Sequence, residues 1–310
     1  GLSSSPDHSW YGMTDYANFG QGIAVGDYDG DGYSDLAISS PGINSNDGKV
    51  EFTFGSSNGL SQSLIEIAGV SVPTLTGNRY GSCLESVQDL ESDGKDEILI
   101  CSSEYSDNGD TGLIQLFSGD LSTSNWIELN GPNQILQGPN YGQSVSASGD
   151  LNGDGINDLV VGNTGTLIDP SGYSSVEVRY GSSNGFNQEP DVSIQSFSTD
   201  TLFGYEVEII NDLNNDGFDE LFISEPYNLS NEFNSGSVWI YLGNNTSLNT
   251  EPEFRLNGAA NELLGLNFAS AGDSNGDGYN DFLITKRGSS NSGKLLLYLG
   301  SNDGFEQNGM

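Results

Sequence analysis

The sequence predicts an all-β fold, a β-propeller of five four-stranded blades. Three observations carry this: one acidic loop occurs five times at a nearly constant interval, a constant set of short apolar runs keeps phase with it, and no long segment has helical periodicity. The loops are Asp27–Asp35, Asp89–Glu97, Asp150–Asp158, Asp212–Glu220 and Asp273–Asp281, with starts separated by 62, 61, 62 and 61 residues. A repeat of this length is one supersecondary unit that cannot bury its faces alone.

Each element of the repeat can be read in turn. An aromatic-Gly or Leu-Gly pair precedes the loop: Phe19-Gly20, Tyr80-Gly81, Tyr141-Gly142, Phe203-Gly204 and Leu264-Gly265. A run such as Leu36–Ile38, Ile98–Ile100 or Leu221–Ile223 follows it. Next come third runs, such as Gly48–Gly55 and Gly236–Gly243, and a fourth patch, as at Leu64–Ile67, Trp126–Leu129 and Glu253–Leu256. Short runs bounded by Gly, Asn, Asp and Ser are strands, and four-stranded units repeated radially are propeller blades. The whole chain, residues 1–310, therefore reads as one domain. Its first 19 residues match the part of a repeat that follows the third strand, while the last repeat reaches Gly304-Phe305 just beyond its own third strand. The segment His8–Tyr11 is thus expected to supply the outer strand of the fifth blade and close the ring.

Within each loop, positions 1, 3, 5 and 9 carry side-chain oxygens, and position 7 offers its backbone carbonyl. The resulting ligand sets are Asp27, Asp29, Asp31, Tyr33 and Asp35; Asp89, Glu91, Asp93, Lys95 and Glu97; Asp150, Asn152, Asp154, Ile156 and Asp158; Asp212, Asn214, Asp216, Phe218 and Glu220; and Asp273, Asn275, Asp277, Tyr279 and Asp281. Position 6 is always Gly, which allows the positive φ of a turn wrapped tightly around an ion. Hard oxygen donors suit Ca²⁺, about five ions in all, and the absence of His and Cys from the loops argues against zinc and copper. An EF-hand would need a Glu at position 12 and flanking helices, whereas here the acid falls at position 9 between strands. The bland alternative is a set of metal-free Asx turns. Against it, the loops concentrate 19 of the 44 acidic residues, which would repel one another. By carboxylate count the first loop, with four, should bind most tightly, and Glu91 makes the second loop atypical at position 3.

These residues resemble the FG-GAP repeats of integrin α-subunit propellers and of related prokaryotic surface proteins, over essentially the whole chain. The resemblance implies a β-propeller with Ca²⁺ in hairpin loops, an extracellular or cell-surface location, and a role in adhesion or ligand binding. The integrin ring usually has seven blades, only some of them metal-bearing, whereas five repeats, all with a loop, are counted here. No inserted domain supplies a separate ligand-binding metal site, so integrin-type ligand recognition does not carry over.

Composition bounds the partners. A formal net charge of −36, from 44 acids against 8 Lys and Arg, repels nucleic acid and anionic membrane. No stretch approaches 18 apolar residues, so no membrane-inserting helix is expected. Gly1–Ser5 does not read as a signal peptide but as a trimmed or mature N-terminus. The expected partner is an extracellular protein or glycan, with this chain standing alone or within a larger surface protein or assembly. The most variable loops are those between the second and third strands: Pro41–Asp47, Glu104–Thr111, Asn163–Tyr173, Glu225–Ser235 and Lys286–Asn291. They place any ligand on the face opposite the metal loops.

Cys83 and Cys101 lie nearly opposite about Asp93 and are expected to form a disulfide in an oxidising compartment, the alternative being two buried thiols. No catalytic residue is assigned. A glycoside-active enzyme is the alternative reading, using the inner-strand carboxylates Glu85, Glu206 and Glu208. At the matching positions Ser144, Ser146, Asn267 and Ala269 point instead to a polar channel. His8 lies too near the terminus for a triad, Trp10, Trp126 and Trp239 read as packing residues, and the sequons at Asn228, Asn244 and Asn245 are expected by chance in an Asn- and Ser-rich chain.

Overall fold

The computed structural model describes residues 8–68, 77, 79–102, 112–118, 127–128, 141–164, 174–187, 189–196, 201–227, 234–287 and 292–305. Trp126, Asn228 and most of the second-to-third strand loops lie outside them. The chain divides into two compact units, residues 1–138 with the first two repeats and residues 139–310 with the other three.

In the first unit, the first repeat folds as an antiparallel sheet of β1 (Ile23–Gly26), β2 (Asp35–Ser39), β3 (Lys49–Thr53) and β4 (Ile65–Ala68). The second follows with β5 (Tyr80–Val87), β6 (Glu97–Ser102), β7 (Leu113–Ser118) and β8 (Ile127–Glu128). In the second unit, the third repeat holds β9 (Tyr141–Gly149), β10 (Asp158–Asn163), β11 (Ser175–Arg179) and β12 (Val192–Gln195). The fourth holds β13 (Val207–Ile210), β14 (Glu220–Glu225), β15 (Ser237–Leu242) and β16 (Phe254–Asn257). Sequential strands are neighbours in every sheet, and each acidic loop joins the first strand to the second.

The fifth repeat has three described strands, β17 (Phe268–Gly272), β18 (Asp281–Arg287) and β19 (Gly293–Tyr298), followed by a short hairpin of β20 (Gly300–Ser301) and β21 (Gly304–Phe305). The expected strand at His8–Tyr11 is not formed: the described residues before β1 carry no strand. His8 instead stacks on Trp10 and contacts Gln62 of the first repeat. The expectation failed because the match of Gly1–Phe19 to a repeat rested on a few residues without the apolar alternation that fixes a strand register. One turn, α1 (Ile43–Asn46), holds Asn44, Ser45 and Asn46 at positive φ, a left-handed turn and not a true helix.

Repeats bury their faces against each other. In the first unit Ala24, Ala37, Val50 and Phe52 pack on Tyr80, Leu84, Ile98, Ile100 and Phe117 of the next repeat. In the second unit β14 is buried on both sides: Leu221 and Ile223 face the third repeat, while Phe222 joins Val238, Ile240, Phe268, Phe282 and Ile284 toward the fifth. Central strands covered on both faces read as continuous apolar runs, as these do.

The glycine of the aromatic-Gly pair enables this contact. Gly81 and Gly265 have φ of +83° and +87°. A Cβ on Gly81 would lie 2.7 Å from Ser39 Cβ, and one on Gly265 would lie 2.6 Å from Val238 Cγ2. The preceding residue forms a parallel bridge to the neighbouring repeat, Gly48 with Tyr80 and Gly236 with Leu264. Both backbone freedom and close approach therefore demand glycine at this position.

Candidate metal centres

The five loops share one hydrogen-bond scaffold. The position-1 carboxylate accepts from the N–H of the position-6 glycine: Asp27 from Gly32 at 2.8 Å, Asp89 from Gly94 at 2.7 Å, Asp150 from Gly155 at 2.7 Å, and Asp212 and Asp273 from Gly217 and Gly278 at 2.9 Å. The position-5 carboxylate accepts from the N–H of position 7 in all five loops, at 2.9–3.1 Å. The position-3 oxygen of Asp29, Asn152, Asn214 and Asn275 accepts from the position-5 N–H. The position-6 glycines have φ between +86° and +94°, with nothing within 4 Å of an added Cβ, so backbone conformation and not crowding excludes a side chain there.

Three of the loops draw carboxylates together. Single oxygens of Asp27, Asp29 and Asp35 lie within 4.8 Å of one another, and so do those of Asp89, Asp93 and Glu97, and of Asp212, Asp216 and Glu220. Among the described residues, the third and fifth loops form no such triplet. In the third, fourth and fifth loops the position-3 amide donates to the position-5 carboxylate: Asn152 to Asp154, Asn214 to Asp216 and Asn275 to Asp277, at 3.2, 3.0 and 2.7 Å.

Position 9 is buried in every loop: Asp35, Glu97, Asp158, Glu220 and Asp281 are all fully covered. Where it is Asp, both oxygens are engaged. Asp35 accepts from Tyr28 N–H at 2.9 Å and Gly55 N–H at 2.7 Å, Asp158 from Leu151 and Gly181, and Asp281 from Ser274 and Gly300. Where it is Glu, one oxygen accepts from the position-2 N–H, Leu90 or Leu213, at 2.7 Å. The other, Oε1 of Glu97 and of Glu220, is buried without a partner among the described residues. An unsatisfied buried acceptor of this kind costs about 1–3 kcal/mol, and more when it is charged.

Burial dominates the electrostatics. It raises Asp35 to about 6, Asp158 to about 7, Glu97 to about 8 and Glu220 to about 9, with nearby loop carboxylates adding to the effect. At Asp281 burial also raises, but hydrogen bonds from Ser274 and Gly300 outweigh it and hold the carboxyl below its usual range. A hard divalent cation would relieve the charge crowding and engage the orphaned oxygens, so the donor chemistry fits Ca²⁺. Positions 1, 3, 5 and 9 would then supply the side-chain ligands.

Two features were missed in the sequence. Position 8 ties the second, fourth and fifth loops to the preceding one: Asp96 accepts from Asp27 N–H at 2.8 Å, Asp219 accepts from Asp150 N–H at 2.8 Å, and Asn280 donates to the Asp212 carbonyl at 3.0 Å, whereas Asn157 of the third loop donates to Ala147 of its own repeat. Four of the five loops have Asp or Asn there, and that was the available signal. Position 4 has positive φ in all five loops, including the non-glycine residues Ser92 and Asn215.

Cys83 and Cys101 are joined as a disulfide between β5 and β6, with Cα atoms 5.0 Å apart, bracing the second hairpin. Glu206 and Glu208 lie two positions apart at the start of β13, each raised to about 7 by burial, and Glu208 further by Glu206. Ser144 and Ser146 accept from Val207 N–H and Ile209 N–H, so they join adjacent inner strands. Trp239 is buried against Phe203 under the Arg255 guanidinium, a packing role. Asn244 uses its side chain in a turn with Thr246 and Ser247.

Fold and loops define the class: an all-β repeat protein of the propeller kind with acid-rich hairpin loops. The chain carries integrin-like FG-GAP repeats: the FG-GAP repeat profile matches residues 19–50 and 141–176, and the FG-GAP-like repeat profile matches residues 212–284. It is 31% identical to integrin alpha-8 of Homo sapiens over 174 residues, covering 53% of this chain and 15% of that protein. It is 28% identical to integrin alpha-PS3 of Drosophila melanogaster over 168 residues, 52% of this chain and 14% of that protein. The chain thus spans about one seventh of the length of these relatives. Among solved structures the Dos1 propeller superposes with a TM-score of 0.50 at 14% identity, over 92% of this chain and 57% of that one, a likeness of fold alone.

Proposed function

We propose that this chain is a calcium-stabilised extracellular binding module, one domain of five blades, whose loops opposite the metal centres receive a protein or glycan ligand. The observation that carries the reading is the convergence of carboxylate oxygens in the loops of the first, second and fourth repeats, on backbone turned by positive-φ glycine. Left as bare charges such clusters repel one another, and a bound cation turns that repulsion into attraction. The integrin relatives support an adhesion or ligand-binding role at the cell surface. No helix among the described residues is long and apolar enough to cross a membrane.

The role of the protein is to hold presentation loops on a rigid frame, and no chemical step is assigned to it. The test is a protein and glycan array probed with the full chain in calcium and in chelator. Calcium-dependent capture of one ligand class supports the reading, and hydrolysis of a glycan that Glu208→Gln abolishes would replace it with an enzyme.

A further inference from the structure

We propose that position 9 divides the five loops into two coordination classes, in which Glu97 and Glu220 each give the cation a buried, uncommitted carboxylate oxygen and make the second and fourth loops the tight sites. The inference rests on the reading of these loops as cation sites and deepens it. In the first, third and fifth loops the position-9 Asp spends one oxygen on the N–H of position 2 and the other on Gly55, Gly181 or Gly300 at the end of the third strand. Its first duty is to anchor the loop to the sheet.

The extra methylene of Glu changes that geometry. Oε2 keeps the anchoring bond to Leu90 or Leu213, while Oε1 has no partner among the described residues. Both residues are fully buried, so bulk solvent does not reach this oxygen. Each Glu instead has an oxygen within 4.8 Å of the position-1 and position-5 carboxylates of its own loop, Asp89 and Asp93 or Asp212 and Asp216. The third and fifth loops, with Asp158 and Asp281, show no such gathering among the described residues. The first loop gathers Asp27, Asp29 and Asp35, and there each Asp35 oxygen already accepts a backbone N–H. Counting carboxylates at positions 1, 3, 5 and 9 gives four in the first and second loops and three in the others, whereas the unpartnered oxygen ranks the second and fourth above the rest.

The test is calcium titration of the chelator-treated full chain by calorimetry, with melting temperatures measured in chelator. The wild type should show two tight equivalents, at least tenfold separated from the rest. Glu97→Gln and Glu220→Gln should each remove one tight equivalent and, by removing a buried carboxyl whose Oε1 has no partner among the described residues, raise the melting temperature in chelator. Opposite signs in the two readouts distinguish a ligand from a residue that merely supports the fold. Glu206→Gln, at a half-buried carboxylate outside the loops, should leave both tight equivalents in place. Should a Gln variant not fold, Glu97→Asp and Glu220→Asp keep the charge and shorten the reach, and should drop each site into the weaker class. Two tight equivalents surviving the double Gln variant, or a single class of sites, would overturn the proposal while leaving the cation reading intact. No calcium binding at all would overturn both.

Discussion

At position 6 of each loop a single backbone angle decides whether the turn forms. Gly32 sits at φ +86° in open space, so Gly32→Ala meets no atom yet must adopt a left-handed conformation. It should destabilise the chain by about 1–2 kcal/mol. At position 4 the converse holds: Ser92 is a non-glycine residue at φ +57°. Ser92→Gly should be neutral or stabilising by up to about 1 kcal/mol. Denaturant unfolding in chelator checks both, and a destabilising Ser92→Gly would contradict the strain assigned there. The pair Glu206 and Glu208 gives a second residue-scale prediction. The Glu208 carboxyl is raised from 4.5 to about 7 in the folded chain. Its contribution is therefore fully present below about pH 4.5 and is lost as pH rises through about 7. Glu208→Gln should leave stability unchanged at pH 4 and raise it by about 1–2 kcal/mol at pH 8, measured by melting at each pH. The sequence displayed position 6 because Gly is invariant there. It hid position 4 because Ser92 and Asn215 break the pattern, and it hid the division at position 9 because Asp and Glu share a charge but differ in reach.

Among the elements, the hairpin that carries the second loop is braced differently from the others. The Cys83–Cys101 disulfide joins β5 to β6 across a separation of 18 residues, beside the loop that carries Glu91 in place of Asp or Asn at position 3. Closing a loop of this length stabilises by about 3 kcal/mol. Reduction, or Cys83→Ala with Cys101→Ala, should lower unfolding stability by that amount, and equal stability with and without reductant would show that the cross-link adds nothing. Most strands were legible because their apolar runs are short, bounded by turn residues and in phase from repeat to repeat. The pairing at Cys83 was legible from hairpin symmetry alone. The strand expected at His8–Tyr11 was not there: Trp10 and Tyr11 gave apolar content without alternation, and Tyr11 is left 77% exposed. Position 8 was overlooked because a bond from Asp96 to the loop 69 residues earlier has no local signature.

For the whole molecule, the proposed single domain carries a net charge of −36. A compact chain of this length should have a radius of gyration of roughly 19–20 Å in small-angle scattering with calcium present. A clearly larger value with calcium bound would contradict the single-domain reading. The charge makes the cation dependence strong, because self-repulsion opposes the compact state until ions neutralise the loops. Five sites, each saturated tenfold above its dissociation constant, would add about 7 kcal/mol, comparable to the net stability of an ordinary domain. The most direct test is thermal unfolding of the full chain in calcium and in excess chelator, with bound ions counted by mass spectrometry. The account predicts at least four ions per chain and a melting temperature that falls sharply on chelation. An unchanged melting temperature, or a chain without bound ions at saturating calcium, would contradict the reading of the five loops as metal centres.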